Sequence, residues 1–190
     1  ALHAMAPVAD EASLVHPKRL AATCGKCHAD PELGAQAGVK LVQPLAAYEA
    51  SVHAGGVARG EHAATCSDCH GSHGILPAEN AQSQVNRKNV PATCAACHAE
   101  VSKAYGESVH GVAAAAGIGE SPVCTDCHGE HRILGPGDKG SPVYASNVPK
   151  MTCGRCHGDL RVTDKFGLKN TAVEAFDYSF HGLAGHMINF

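Results

Sequence analysis

Five C-x-x-C-H motifs constrain this chain more than any other feature of its sequence. The ten cysteines form the pairs Cys24/Cys27, Cys66/Cys69, Cys94/Cys97, Cys124/Cys127 and Cys153/Cys156. Each pair is followed directly by a histidine: His28, His70, His98, His128 and His157. No cysteine lies outside this pattern, so one explanation has to account for all ten thiols.

C-x-x-C-H is the attachment sequence of c-type haem. Two thiols separated by two residues lie on one side of a short turn, where they can form thioethers with the two vinyl groups of a porphyrin. The adjacent histidine then reaches the iron from one face. The motifs therefore predict five haem c groups, with the ten cysteines as thioether donors and the five motif histidines as proximal iron ligands.

Other cysteine-based sites explain the pattern less well. Zinc sites use two C-x-x-C pairs for four ligands and need no histidine directly after each pair. Disulfide frameworks have irregular spacings, not five copies of one motif. A thioredoxin-like site would have one such pair near a βαβ pattern, which is not evident here.

Composition favours a fold built around these groups. The chain has 190 residues with four Phe, four Tyr, no Trp and 21 Gly, so large side chains for a core are scarce. Charged residues make up only 17%, which argues against disorder. We expect a single domain over residues 1–190 that is mostly irregular with short α-helices, has little or no β-sheet, and packs on haem.

Charge and hydropathy bear on partners and location. The net charge of −3 argues against nucleic-acid binding, and no apolar run is long enough to span a bilayer. We interpret the N-terminus at Ala1 as a mature end left after signal-peptide removal. Because haem attachment to cysteine normally occurs outside the cytoplasm, we expect a periplasmic or extracellular protein.

An internal repeat divides the chain. Tyr48–His53 recurs as Tyr105–His110, and Cys66–Leu76 recurs as Cys124–Leu134. The segment before Cys94 reappears before Cys153 with one residue inserted. The repeats cover about 48–104 and 105–175, and a partial third copy occupies 176–190. Each full unit contains one C-x-x-C-H-G-x-H site and one T-C-x-x-C-H site.

The repeat also selects distal iron ligands from the nine remaining histidines. S-x-H segments contain His53, His110 and His181, and C-H-G-x-H segments contain His73 and His131. Five haems need five distal ligands, so we predict these five. His73 and His131 lie three residues after a proximal ligand, on the wrong face for their own iron, so each should bind a different haem.

The other histidines are assigned more weakly. His62 has no counterpart in the next repeat and is interpreted as an ordinary surface residue. His16, His186 and His3 are reserve distal ligands. Methionine ligation is disfavoured because none of the three methionines is repeated.

Helix signals are short. Residues 44–52 are predicted as a helix with proline in its first turn, ended by Gly55 and Gly56. Residues 92–116 are predicted as one longer helix that contains His98 and His110. A third helix is predicted over 171–180, with Gly182 as its stop.

The combination of S-V-H-G, C-x-D-C-H-G-x-H-x-I-L and N-V-P-x-T-C-x-x-C-H resembles the multihaem cytochromes c of respiring bacteria. It is similar to the broad cytochrome c3/NapC-like grouping over about residues 22–182. The resemblance implies a chain of bis-histidine haems and redox partners such as proteins or a membrane oxidoreductase.

Three functions remain open from sequence. Bis-histidine iron has no open position for substrate, which favours electron transfer and disfavours an enzyme. A multihaem redox enzyme would need one iron with an open face. The unfinished third repeat and the extra histidines would also suit self-association into an oligomer or a cytochrome filament, in which a histidine ligates iron in the next subunit.

Overall fold

A computed structural model describes residues 5–36 and 43–187 of the chain, without the side chains of 185–187. Over these residues it consists of short helices and irregular segments, with no β-strand in the described part. This confirms the predicted fold class. The longest helix, α1 (Pro17–His28), has 12 residues and includes the first C-x-x-C-H motif.

The remaining helices follow in chain order. They are α2 (Pro31–Gln36), α3 (Pro44–Glu49), α4 (Val52–Ala58), α5 (Cys66–His70), α6 (Val90–Ala95), α7 (Ala99–Glu107), α8 (Val109–Ala115), α9 (Cys124–His128), a π-helix (Val148–Cys153), α10 (Gly154–His157), α11 (Leu160–Phe166), α12 (Ala172–Asp177) and α13 (Phe180–Met187). Four motif histidines are the last residues of helices, namely His28, His70, His128 and His157, and His98 directly precedes α7.

Three helix predictions were wrong in their limits, in each case because a serine begins a new helix. The first predicted helix ends at Glu49, and Ser51 then caps α4, which runs through Gly55 and Gly56. The long helix predicted over 92–116 is divided into α6, α7 and α8, and Ser108 caps α8. Gly182 does not stop a helix but lies inside α13. A capping serine satisfies free backbone N–H groups at a helix start.

The chain contains two compact units. One comprises Ala1–Lys103 with Glu130–Ile133, and the other comprises Ala104–Gly129 with Leu134–Phe190. In the first unit α1 contacts α2, α3, α4 and α5, and α5 contacts α6. In the second unit the π-helix contacts α10 and α12, and α10 contacts α11.

Neither unit has a substantial core of aliphatic side chains. Among the described residues, the buried apolar side chains are Val57, Val90, Val123 and Leu134. Large apolar side chains are exposed instead, including Val109 and Phe180, each 81% accessible. Side-chain packing of this kind is too sparse to hold a domain of this size by burial alone.

Candidate functional site

The two C-H-G-x-H motifs are built around a short capped helix. In α5 the Asp68 carboxylate accepts hydrogen bonds from Thr65 N at 2.7 Å and from Thr65 Oγ1 at 2.6 Å. In α9 the Asp126 carboxylate accepts one from Val123 N at 2.6 Å. The aspartate between the two cysteines therefore closes the first turn of each helix, which holds both thiols and the histidine in one fixed turn.

Glycine ends both of these helices. Gly71 has φ +79° and ψ 174°, and Gly129 has φ +79° and ψ −176°. Side chains with a Cβ are strongly disfavoured in this backbone conformation, so the position after the motif histidine requires glycine. The turn redirects the chain directly after the motif histidine.

The T-C-x-x-C-H motifs are anchored in a second way. The threonine hydroxyl before the first cysteine donates to a backbone carbonyl nine or ten residues earlier: Thr23 to Leu14 O at 2.7 Å, Thr93 to Gln84 O at 2.7 Å, and Thr152 to Pro142 O at 2.6 Å. The same bond recurs at all three motifs, so the threonine positions the first cysteine against the preceding loop.

The inserted residue in the last of these motifs is absorbed locally. The segment before Cys94 is the α-helix α6, whereas the corresponding segment before Cys153 is the π-helix, in which Gly154 N donates to Pro149 O. A π-helix accommodates one extra residue without changing the direction of the flanking chain. The threonine bond before the first cysteine is kept in both copies.

Serine caps the helices that contain the S-x-H histidines. Ser51, Ser108 and Ser179 accept hydrogen bonds from the backbone N–H three residues later at 3.2, 3.1 and 3.2 Å. Each histidine is then the second residue of its helix. Tyr48 and Tyr105, in the same segments, donate to Ala64 O and Pro122 O at 2.9 Å, next to the following C-x-D-C-H motif.

Three pairs of imidazoles result from this arrangement. His53 lies 6.2 Å from His98 between ring centres, His131 lies 6.0 Å from His70, and His110 lies 6.1 Å from His157. Each pair joins a motif histidine to a histidine predicted as a distal ligand. The ring planes are nearly parallel for His70 and His131, at 8°, and inclined by 49° and 50° in the other two pairs.

This spacing is the one that a metal ion between two imidazoles requires. Metal–nitrogen bonds of about 2.0–2.1 Å on opposite sides of one metal place the two ring centres about 6 Å apart. Contact between aromatic rings alone also permits such distances, but it would not select a motif histidine in all three cases. The residues present therefore fit haem iron at these three positions.

The pairing of His131 with His70 depends on the segment 130–133, which packs within the first unit. Val52 N donates to Ile133 O at 2.9 Å, so this segment is bonded to the start of α4, the helix that contains His53. The second repeat thus contributes a histidine to a motif of the first repeat. Sequence reasoning had placed His131 on a different haem but could not name which one.

The environment of these histidines favours their neutral form. Burial lowers the pKa of His53, and the facing His98 lowers it further. Burial also lowers the pKa of His70, with added effects of His131 and His28 that Glu130 opposes. A neutral imidazole has the lone pair that metal ligation needs, so both histidines are ready to bind iron at neutral pH.

A cavity lined by His110 and His157 shows what kind of surface surrounds this imidazole pair. Its wall is formed mainly by Ala113, Ile118, Pro122, Val162, Phe166 and Leu168, and it includes Cys156. All of these residues belong to the second unit. An apolar wall with a thiol at its edge and one imidazole on each side suits a flat, hydrophobic, thioether-linked group.

Neighbouring motifs lie close together. Burial raises the pKa of Cys66 to about 11, and the charge and hydrogen bond of Cys24 contribute to this shift. Burial, then Asp68, then Cys97 raise the pKa of Cys69. In the second unit burial, Asp126 and Cys153 raise the pKa of Cys127. Consecutive motifs thus approach each other in the order 1–2–3 within the first unit and 4–5 within the second.

The ten motif thiols differ in how far the protein covers them. Those of Cys27, Cys97 and Cys153 are exposed, whereas the other seven are partly buried. Each of these three exposed thiols belongs to a T-C-x-x-C-H motif. In the first and third motifs the second cysteine and the motif histidine are both exposed: Cys27 with His28, and Cys97 with His98.

The packing of α1 explains the exposure of Cys27. Gly25 is buried, and the Leu45 side chain packs against it, so this face of α1 is the covered one. Cys27 follows two residues later, about 200° around an α-helix, and so lies on the opposite face. The assignment of Cys27 as a thioether donor stays a prediction, which places the edge of the first haem at the protein surface.

The other predicted ligands have different surroundings. His73 is exposed, with Nδ1 3.2 Å from Ser72 Oγ, and His181 is exposed with its ring 6.0 Å from that of Phe180. Within the described residues, His28 and His128 do not face another imidazole at the spacing of the three pairs. The reserve ligand His16 caps α1, where its Nδ1 accepts from Lys18 N at 3.3 Å.

Two reserve ligands cannot be placed. His3 lies outside the described residues, and the side chain of His186 is not described. None of the ten cysteines is in a disulfide. Across the described residues no helix is long and apolar enough to cross a membrane.

Sequence reasoning missed the residues that position the motifs. The capping aspartates, the threonines before the first cysteine and the two tyrosines recur in the repeats, but no role was assigned to them. Their recurrence could have indicated a structural role, because a polar residue that occurs at the same position in two or three copies of a repeat is expected to form the same hydrogen bond in each copy.

One comparison with known proteins gives a match. A family model described as a doubled CXXCH motif matches residues 55–103, which contain the second and third motifs. No curated protein and no solved structure matches the chain. The matched segment has the signature of covalently bound haem c, as found in multihaem c-type cytochromes, while membership of the c3/NapC-like grouping stays a prediction.

Proposed function

We propose that this chain is an electron-transfer protein with five covalently bound c-type haems. The observation that carries the proposal is the set of three imidazole pairs at 6.0–6.2 Å, each of which includes the histidine of a C-x-x-C-H motif. Haem iron ligated by two imidazoles supplies a one-electron couple and has no open position for a substrate.

The residues of the chain have separate tasks in this function. The cysteines attach the group, the motif histidine and its partner fix the iron from both faces, and the apolar walls exclude water. We propose that haems attached at neighbouring motifs exchange electrons directly, since Cys24 adjoins Cys66 and Cys97 adjoins Cys69. We propose a periplasmic or extracellular location and a redox protein or membrane oxidoreductase as partner.

Voltammetry of the haem-loaded protein tests this function. We expect reversible one-electron waves that together account for every bound haem, and no binding of carbon monoxide to the sites of the three imidazole pairs. A multihaem enzyme would instead show a large catalytic current with its substrate and a carbon monoxide adduct at an open haem. Either of these signals at a paired site would contradict the proposed ligation.

A second candidate, head-to-tail association into a filament, is favoured by His181. Ser179 caps α13 as Ser51 and Ser108 cap α4 and α8, yet the His181 ring faces Phe180 and not a motif histidine. In the other two copies the corresponding histidine faces a motif histidine: His98 faces His53, and His157 faces His110. We propose that His181 ligates haem iron in a second copy.

Electron microscopy of the purified protein tests the association. We expect extended particles that are lost in His181→Ala, while His62→Ala, which removes another exposed histidine, leaves them intact. Monodisperse single particles in the unsubstituted protein, or filaments that survive His181→Ala, would contradict this second candidate.

A further inference from the structure

The residue before the second cysteine differs in charge among the five motifs. It is Lys26 in the first, Asp68 in the second, Ala96 in the third, Asp126 in the fourth and Arg155 in the fifth. This position lies next to a thioether-forming thiol in every motif. The five haems therefore have different fixed charges at the same point of an otherwise shared attachment site.

Asp68 is held in place at the second motif. Both of its hydrogen bonds to Thr65 use the same carboxylate oxygen, Oδ2, and they fix the group at the start of α5. Asp68 directly precedes Cys69, so the fixed carboxylate lies next to the attachment point. Glu130, a second acidic residue, directly precedes His131, whose ring faces His70.

Asp126 has a similar position at the fourth motif, but a cation lies beside it. The Arg155 side chain donates from a terminal nitrogen to the backbone carbonyl of Asp126 at 3.3 Å. A guanidinium is always charged at neutral pH. Its field therefore offsets part of the field of the Asp126 carboxylate.

We infer that Asp68 lowers the reduction potential of the haem at the second motif, and that Asp126 does so more weakly at the fourth. The inference rests on the proposed function, since it concerns haem bound at these motifs. Reduction of ferric haem adds one electron from the donor and removes one unit of positive charge. A fixed carboxylate nearby favours the oxidised state and so opposes that step.

The position of the second motif gives this effect a consequence for electron flow. Cys66 neighbours Cys24 of the first motif, and Cys69 neighbours Cys97 of the third. The second haem therefore lies between two haems whose motifs have Lys26 or Ala96 at the charged position. Asp68 thereby makes the second haem harder to reduce relative to the first and third haems.

Potentiometric titration of Asp68→Asn tests the inference. Asparagine keeps an oxygen that can accept from Thr65 N but removes the charge. At a fixed applied potential, we expect the ratio of reduced to oxidised haem at the second motif to rise about three- to tenfold. This range follows from Coulomb energies at an effective dielectric constant near 20, reduced because the carboxylate is exposed. Asp126→Asn should give a smaller increase, and Asp68→Glu, which keeps the charge, should give less than about a twofold change.

Asp10→Asn is the matched control. Asp10 Oδ1 accepts from Ala12 N at 2.8 Å, and in the corresponding turn Asn80 Oδ1 accepts from Gln82 N at 2.9 Å, so asparagine is compatible with this turn. We expect this control to leave all five potentials unchanged. If Asp68→Asn fails to load haem, Ala96→Asp provides the reverse test, and it should lower the potential of one haem.

The outcomes separate the inference from the function. Equal shifts in Asp68→Asn and Asp10→Asn, or no shift at all in protein with its full haem complement, would overturn the role of Asp68 and leave electron transfer intact. An unsubstituted protein that contains no covalently bound haem would overturn the proposed function itself.

Discussion

His131→Ala is expected to convert one haem of the chain, the one attached at Cys66 and Cys69, from low-spin to high-spin iron. The His131 and His70 rings are 6.0 Å apart and nearly parallel, so removing one imidazole leaves the other as the only axial protein ligand. The effect is local, because the other two imidazole pairs involve different segments of the chain.

The change can be measured by electron paramagnetic resonance and by carbon monoxide binding. We expect a high-spin ferric signal equivalent to one haem per chain and one new carbon monoxide site after reduction. His62→Ala is the control, since His62 is exposed and has no counterpart in the second repeat. A spectrum of His131→Ala identical to that of the unsubstituted protein would show that His131 is not an iron ligand.

Replacing Cys153 and Cys156 together with alanine is expected to remove one covalently bound haem and to destabilise the second unit. The cavity between His110 and His157 has a largely apolar wall, and without a bound group that wall faces water. At about 25 cal/mol per Å² of apolar surface, losing the burial of even roughly 100 Å² costs about 2.5 kcal/mol.

Mass spectrometry and thermal unfolding measure the two parts of this expectation. Compared with the unsubstituted protein, the denatured variant should be lighter by the mass of one haem plus the two sulfur atoms lost in the substitutions. One part of its thermal unfolding transition should move to lower temperature. Cys97→Ala is the matched control, because it leaves Cys94 to form one thioether at the third motif. A full haem complement in the doubly substituted protein would contradict attachment at this motif.

The attachment residues and the general fold could be predicted from sequence because both follow from local pattern. C-x-x-C-H is contiguous, and scarce aromatic residues with frequent glycine indicate short helices without a large aliphatic core. Helix limits were predicted less well. Ser51 and Ser108 each cap a new helix within a segment that was predicted to be one helix. The hydrophobic pattern does not reveal such a break, because a cap acts through the hydrogen bond of its own side chain.

The pairing of histidines could not be predicted because it depends on long-range packing. His131 is three residues from His128 in sequence, but the turn at Gly129 and the bond from Val52 N to Ile133 O place it against His70. The exposure of Cys27 likewise depends on which face of α1 is covered, and the motif itself does not encode that. The assignments of His73 and His181 as distal ligands stay predictions.

The one-residue insertion before Cys153 was visible in sequence, whereas its absorption in a π-helix was not. An insertion in a repeat can be taken up by a loop, by a bulge or by a change of helix type, and the choice depends on what the flanking segments contact. Here the π-helix contacts α10 and α12.

The intact mass of the protein, purified from cells that attach haem to cysteine and measured under denaturing conditions, tests the central claim most directly. Thioethers survive denaturation, so only covalently attached haem is counted. The account predicts the mass of the 190-residue chain plus five haems. A mass equal to the polypeptide alone, or to the polypeptide with its cysteines joined as disulfides, would contradict it.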